Sequence, residues 1–256
     1  MKPNPVKNVM LNRTFDILDE MSKAYGTVGI SELSESLGIS KATIFRILQT
    51  LLERGVVMQD DQERYSLGYT LVQYASHVKL QQNISSLAEP HMKKLSKETG
   101  ETINLGMLHD DVLLHILSVP GEENIWMKRL VPVSDLYCSS GGKLFLAEQN
   151  EDFLYDYFSK PRRKRTIHTI TTLEEFLPQL EKIRLLGHAH DNEEYEYGLS
   201  CCAYPIRSAS GKLQASLSMS GPQSRIAFKG EESLWQKLKE TAEVIEKEYQ
   251  KLESKI

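Results

Sequence analysis

The chain has 256 residues, a hydrophobic content of 40%, a charged content of 26% and a formal net charge of −4, which is room for one large domain or two ordinary ones with a real core. No apolar run is long enough to span a bilayer, and the first residues lack the apolar stretch of a signal peptide. Three cysteines (Cys138, Cys201, Cys202) with no C-x-x-C pair exclude a disulfide framework, so a reducing cytoplasm is the expected location.

Lys2, Lys7 and Arg13 precede the first acid, Asp16, yet residues 1–75 together carry eight Lys and Arg against nine Asp and Glu. Net charge therefore decides nothing about nucleic acid, whose recognition depends on local field and contact geometry. Val9, Leu11, Phe15, Ile17, Leu18 and Met21 predict a first helix that completes a three-helix core. Ile30, Leu33 and Leu37 form the apolar stripe of a second helix, which Gly38 ends in the left-handed cap conformation. Ile39 is the expected buried turn residue, and Ser40 the N-cap of a third helix running from Lys41 to Arg54. Ile44, Ile47, Leu48 and Leu51 share one face of that helix; Ala42, Arg46, Gln49 and Glu53 centre the other, with Phe45 flanking them.

The outer face has the chemistry of a major-groove reader. Arg46 matches guanine bidentately, Gln49 matches adenine, and Ala42 is small enough to pack on a thymine methyl. Lys41 and Thr43 sit at the helix start, where a backbone phosphate meets free N–H groups. Val56-Val57-Met58 and Arg64-Tyr65-Ser66-Leu67-Gly68 flank an acidic turn, Asp60-Asp61-Gln62-Glu63, and predict a β-wing in which only Arg64 suits a phosphate. The expected DNA contacts are Ser40, Lys41, Ala42, Thr43, Phe45, Arg46, Gln49 and Arg64. Two packed helices and a hairpin serving purely as scaffold would explain the periodicity, but not an exposed Arg and Gln behind a Ser cap.

Leu71, Val72, Ala75, Val78 and Leu80 carry a helical pattern on through Gln81-Gln82-Asn83 into Leu87-Ala88. Residues 75–85 are thus expected to be a linker helix between a DNA-binding domain at 1–74 and a second domain at 86–256. In the second domain, strand patterns at 101–106 and 112–117 flank a turn, and those at 201–207 and 213–220 flank Ser208-Ala209-Ser210-Gly211. Helical patterns lie at 142–148, 173–186 and 234–252, so the fold class is α+β with an antiparallel sheet.

The stretch Gly38-Ile39-Ser40-Lys41-Ala42-Thr43-Ile44-Phe45-Arg46-Ile47-Leu48, with Arg64-Tyr65-Ser66-Leu67-Gly68, resembles the N-terminal domain of IclR-type bacterial transcription regulators. Gly141 to Ala147, Asp191 to Glu194 with Gly198 to Cys201, and Leu217 to Pro222 resemble that family's effector-binding domain, a fold similar to the GAF domain. The resemblance covers nearly the whole chain. It implies a winged helix-turn-helix, a helical linker and a receptor domain whose ligand sits in a pocket closed by a loop. Carried over by position, the polar contacts are Asp191, Cys201, Ser218 and Ser220, with Tyr137 and Ser139 in the run before Gly142-Lys143. Where the family has a Leu-His-Ala-Thr-Ala-like run, this chain reads Leu136-Tyr137-Cys138-Ser139-Ser140, and Tyr for His changes bulk and protonation and leaves the ligand open. Alternation places Ser218 and Ser220 on one sheet face, their hydroxyls suited to a carboxylate, while Asp191 accepts from a hydroxyl or amide. Cys201 is equally suited to be a small core residue. Ile125, Trp126, Met127, Leu130 and Val133 either wall the pocket or belong to the core or a subunit interface.

The function so implied is sequence-specific control of transcription, repression first, with operator affinity set by a small organic effector, a carboxylate or an aromatic. The expected partners are a double-stranded DNA operator and further copies of the chain, as a homodimer or tetramer; no membrane, metal or cofactor is called for. Enzymatic alternatives are weaker. A P-loop would need Gly where Tyr137 stands and Ser or Thr where Leu144 stands, and no G-x-S-x-G elbow occurs. His188, His190 and Asp191, followed by Glu193 and Glu194, are plausible metal ligands and keep a metal-dependent enzyme with an accessory winged helix as the alternative. The basic run Pro161-Arg162-Arg163-Lys164-Arg165 reads as a solvated loop able to add phosphate contacts.

Overall fold

The computed structural model describes residues 8–24, 26–76, 82–121 and 133–254. The chain divides into two compact units, Met1–Lys79 and Leu80–Ile256. In the first, helices α1 (Val9–Lys23), α2 (Ile30–Leu37) and α3 (Lys41–Glu53) precede strands β1 (Val57–Gln59) and β2 (Tyr65–Leu67) and helix α4 (Thr70–Ser76). Gly38 closes α2 in the left-handed region at φ 64°, where a side chain is disfavoured, and Ile39 is buried in the turn. Ile44, Ile47, Leu48 and Leu51 of α3 cluster with Ile17, Met21, Leu33, Val57 and Tyr65. The wing is antiparallel, Val57 opposite Leu67 and Gln59 opposite Tyr65. A Cβ on Gly68 would stand 2.2 Å from the Gly55 carbonyl oxygen, so the base of the wing closes backbone against backbone.

Helix α1 meets only half of its expectation. Ile17 and Met21 are in the core, but Val9, Leu11 and Phe15 are 61%, 56% and 62% exposed. The physical reason is length: α2 has eight residues, about two turns, and cannot cover the 15 residues of α1. The expected linker lies partly outside the described residues, since 77–81 separate α4 from α5 (Gln82–Thr99).

The second unit is built on one antiparallel sheet of six strands in the order β5-β4-β3-β8-β7-β6. These are β3 (Thr102–His109), β4 (Val112–Val119), β5 (Val133–Asp135), β6 (Ala189–Asn192), β7 (Leu199–Arg207) and β8 (Leu213–Pro222). Helices α6 (Ser140–Ala147), α7 (Glu151–Ser159) and α8 (Leu173–Leu186) come between β5 and β6, and α9 (Gln223–Lys229) and α10 (Glu231–Glu253) follow β8. Ile103, Leu105, Cys202, Leu217 and Met219 pack with α5 and α10. The opposite face contributes Leu113, Ala189 and Ala203 to a second cluster with α6, α7 and α8. The predicted α+β class with an antiparallel sheet is what forms. Helices α7 and α9 and the short strands β5 and β6 are elements that the periodicity of the sequence does not predict. Among the described residues no helix is long and apolar enough to cross a membrane.

Candidate nucleic-acid interface and ligand site

On α3, Lys41, Ala42, Phe45 and Arg46 are exposed and Thr43 and Gln49 half-buried. The helix turns its apolar residues inward and leaves this surface in water because periodicity and core coincide. Neither Lys41 nor Arg46 makes an ion pair among the described residues. Ser40 holds the N-cap backbone position, but its hydroxyl meets the Thr43 hydroxyl at 2.9 Å instead of capping an N–H. The first backbone bonds into Ser40 come from Thr43 and Ile44, so the N–H groups of Lys41 and Ala42 carry no backbone partner among the described residues.

Arg64 corrects the expectation of a free wing cation. Its guanidinium donates to the Thr27 carbonyl at 2.7 Å, to Thr27 Oγ1 at 3.1 Å and to both Glu32 oxygens at 3.0–3.2 Å. The Gly29 N–H and then Arg64 hold Glu32 below the usual carboxylate range. The fork of donors that would meet a phosphate instead ties the wing to the start of α2.

In the second unit, cross-strand register lines up Asp191, Cys201, Ser220 and Thr102 as one rung across β6, β7, β8 and β3. The next rung on the same face is Ala189, Ala203, Ser218 and Asn104, continued on β4 by Ser118. The four carried-over contacts, Asp191, Cys201, Ser218 and Ser220, thus come together on two adjacent rungs. Asp191 is buried, and its Oδ1 accepts from the N–H groups of Glu194 at 2.8 Å and Tyr195 at 3.2 Å. Burial pushes its carboxyl up to about 6 against the pull of Lys143 and those two N–H groups. Burial likewise pushes the Cys201 thiol well up, with the Asp191 carboxylate beside it adding to the rise. Ser218 keeps a hydroxyl with no partner among the described residues.

Tyr137 and Ser139 both have their hydroxyls engaged within the fold. The Tyr137 hydroxyl donates to the Arg163 carbonyl at 2.7 Å. Ser139 caps α6: its hydroxyl accepts from the Gly142 N–H at 3.3 Å and donates to the Asp135 carbonyl at 2.7 Å. Both side chains fix the start of α6 and have their hydroxyls occupied in doing so. That start is seated tightly, since a Cβ on Gly142 would lie 2.4 Å from the Leu136 Cα and one on Gly141 2.6 Å from the Ser216 hydroxyl.

A residue the sequence reading passed over is Lys143. It is fully buried, donates to the His190 carbonyl at 2.8 Å and pairs with the buried Glu194, to which Gln179 also donates. A lysine inside an otherwise apolar helix, flanked by Gly142 and Leu144-Phe145-Leu146, was the available signal. The metal reading fails on alternation. The His188 ring stacks on Tyr204 and the His190 ring meets Trp235 edge-on, while Asp191 points to the other face of the sheet. Among the described residues no three His, Cys, Asp or Glu are placed to hold a metal ion. Burial, then His188, brings His190 down to about 4, so it packs as a neutral ring. In the basic run, Arg162 lies 3.6 Å over the Tyr157 ring and Arg165 pairs with Asp135 at 2.6 Å, which occupies two of its cations internally. Ile125, Trp126, Met127 and Leu130 lie outside the described residues; Val133 is half-exposed at the start of β5.

A family model described as the bacterial transcriptional regulator IclR C-terminal domain matches residues 76–247, and one described as the IclR helix-turn-helix domain matches residues 10–61. The chain is 36% identical over 231 residues to the HTH-type transcriptional regulator KdgR of Dickeya chrysanthemi, covering 88% of this chain and 74% of that protein. It is 26% identical over 225 residues to the transcriptional repressor IclR of Escherichia coli K12, covering 84% and 81%. The crystal structure of the Thermotoga maritima IclR superposes with a TM-score of 0.69 at 34% identity, over 94% of this chain and 98% of that one. An IclR regulator from Alicyclobacillus acidocaldarius gives 0.79 at 26% identity, over 93% and 97%.

Proposed function

The chain belongs to the IclR family of DNA-binding bacterial transcriptional regulators, and from that premise we propose how its two units divide the work. The first unit reads an operator with α3: Arg46 and Gln49 meet base edges, Ala42 and Phe45 pack against them, and Lys41, Ser40 and Thr43 hold phosphate at the helix start. Arg64 acts from behind, by aiming the wing. Residues 1–74 form this reader, 75–85 the linker and 86–256 the receptor.

The receptor binds a small organic acid through Ser218, Ser220, Cys201 and Asp191. The observation that carries this is the assembly of those four residues on two adjacent rungs of one sheet face, with the Ser218 hydroxyl unpartnered among the described residues. The protein acts as a homodimer or a dimer of dimers in the cytoplasm, on a pseudo-palindromic site, as a repressor. Val9, Leu11 and Phe15 of α1, with Tyr69 and Val72 at α4, leave an apolar surface on the first unit that a second copy would cover. Effector and DNA affinities are reciprocally coupled, typically by about 1–3 kcal/mol.

Selection of bound sequences from a random DNA pool, repeated with a panel of organic acids, tests the scheme. The expected result is enrichment of one two-fold symmetric site whose binding a single acid weakens. Enrichment of nothing, or binding indifferent to every acid, overturns it.

A further inference from the structure

The turn that follows β6 is held by side chains from three other parts of the unit. Glu193 stands in the left-handed region at φ 58°, and its carbonyl accepts from the Thr166 hydroxyl at 2.6 Å. The Glu194 carbonyl accepts from the Thr169 hydroxyl at 2.6 Å. The Glu194 side chain turns inward, where it takes the Lys143 ammonium and, at 3.2 Å, the Gln179 amide. Lys143 also donates to the His190 carbonyl at 2.8 Å. It thus grips the residue before Asp191 and the residue whose N–H, at 2.8 Å, holds Asp191 Oδ1. The Tyr195 N–H reaches the same oxygen at 3.2 Å, so both backbone bonds to the carboxyl depend on where Glu194 is held.

Stability does not account for this lysine. A buried ion pair recovers its desolvation only when the remaining lone pairs are satisfied, and an apolar pair of similar volume commonly folds as well. Here Glu194 Oε2 and Gln179 Oε1 are both buried with no hydrogen-bond partner among the described residues. What the pair supplies, and an apolar pair does not, is direction. Strand β6 is four residues long and lies at the sheet edge, paired only with β7, so its ladder restrains the end that carries Asp191 weakly. Helix α6 is seated firmly by the Ser139 cap and by the close approach of Gly141 and Gly142 to Ser216 and Leu136. Lys143 ties the loose element to the seated one.

We propose that Lys143 is a positioning residue for the effector site: from α6 it clamps both flanks of Asp191 and holds that carboxyl in one orientation toward the ligand; this rests on the reading of Asp191 as an effector contact. The ionisable groups that act on Asp191 are Lys143, Glu194 of its own turn, Cys138 from the run before α6 and Cys201 from β7. Burial pushes both thiols up, so near neutrality they carry no charge. Burial raises the Asp191 carboxyl to about 6, and Lys143 is the strongest pull the other way, ahead of the two N–H groups and of the opposing Glu194 charge. Losing the clamp removes that pull and loosens the N–H bonds, which sends the carboxyl higher; removing the Glu194 charge is the smaller, opposite effect.

The test compares the full-length protein, without ligand, with Lys143→Met/Glu194→Gln, in which neither partner is left charged. Hydrogen exchange followed by mass spectrometry should quicken about tenfold or more in the peptide covering 191–195, while peptides of α5 and α10 exchange as in the parent. The folded Asp191 carboxyl binds its proton more tightly than the unfolded one, so stability falls as pH rises from about 4 to the folded value. In the parent that fall should end near pH 6; in the variant it should run about half a pH unit or more further, and adding Asp191→Asn should abolish it. If the variant fails to fold, Lys143→Met/Glu194→Met, which fills the volume with apolar side chains, takes its place. Exchange at 191–195 that changes no more than that of α5 and α10, or a fall that still ends near pH 6, overturns the inference and leaves Lys143 a packing residue. Neither readout uses a ligand, so operator release by organic acids that survives Asp191→Ala removes Asp191 from the effector site and leaves Lys143 as its clamp.

Discussion

On α3, Lys41 and Arg46 stand in water with no ion-pair partner among the described residues; in the second unit Lys143 is wholly buried against Glu194, beside Asp191. The same residue types do opposite work. An exposed cation keeps its hydration, adds little to folding and stays available to a phosphate or a base, where salt screens it. A buried cation has lost its hydration and is committed to one partner, so removing either member leaves an uncompensated charge. The reading unit should therefore respond to mutation in affinity and salt dependence, and the receptor unit in stability and pH dependence.

Four changes can break or sharpen that contrast. The largest effect is expected from Lys143→Met, which strands the Glu194 carboxylate and should cost about 3–5 kcal/mol in denaturant unfolding. Adding Glu194→Gln should recover much of it; a loss under about 1 kcal/mol for the single variant would mean that the pair is not desolvated.

Asp191 comes next. Its carboxyl titrates at about 6 in the folded chain, against about 4 unfolded, so the folded form binds its proton more tightly. The stability this confers is complete below about pH 4 and is lost as pH rises through about 6, so unfolding free energy should fall across that window and Asp191→Asn should flatten the fall. Effector binding through an accepting carboxylate should have the opposite slope, weakening up to tenfold per pH unit below about 6 in calorimetric titrations.

Arg46→Ala should weaken binding to the selected operator by about 1–3 kcal/mol and leave random-DNA affinity and unfolding nearly unchanged. Equal loss on both DNAs would make Arg46 a phosphate contact. The smallest effects separate two cations of the first unit. Lys41→Ala should lower the slope of log affinity against log salt by about 1. Arg64→Ala should leave that slope alone and lower the unfolding midpoint slightly, through its Thr27 bonds more than through Glu32, which is more than half exposed. A changed slope for Arg64→Ala would return it to the DNA.

The helix-turn-helix was legible because its information is local. The Gly38 cap, the buried Ile39 and the Ile44-Ile47-Leu48-Leu51 face of α3 all follow from residues within two turns of one another. The fate of Arg64 was not, because its partners Thr27 and Glu32 lie 37 and 32 residues away, and nothing nearby distinguishes a free guanidinium from one already held. For the same reason Val9, Leu11 and Phe15 read as core: periodicity identifies an apolar face but not the length of the element that covers it. Ser218 and Ser220 were legible as a pair on one face by alternation, whereas their meeting with Asp191, Cys201 and Asn104 needed the register of four strands.

By itself, then, the amino-acid sequence determined element types, caps, turn positions and the division of each strand and helix into two faces, because steric preference and hydrophobic period act over a few residues. Only the tertiary structure decided which cations remain in water and which are neutralised, which hydroxyls are occupied by caps, and which strand sits beside which. Those outcomes depend on burial and on contacts closed over long loops, such as the 51 residues between Lys143 and Glu194, where desolvation rather than local preference sets the chemistry.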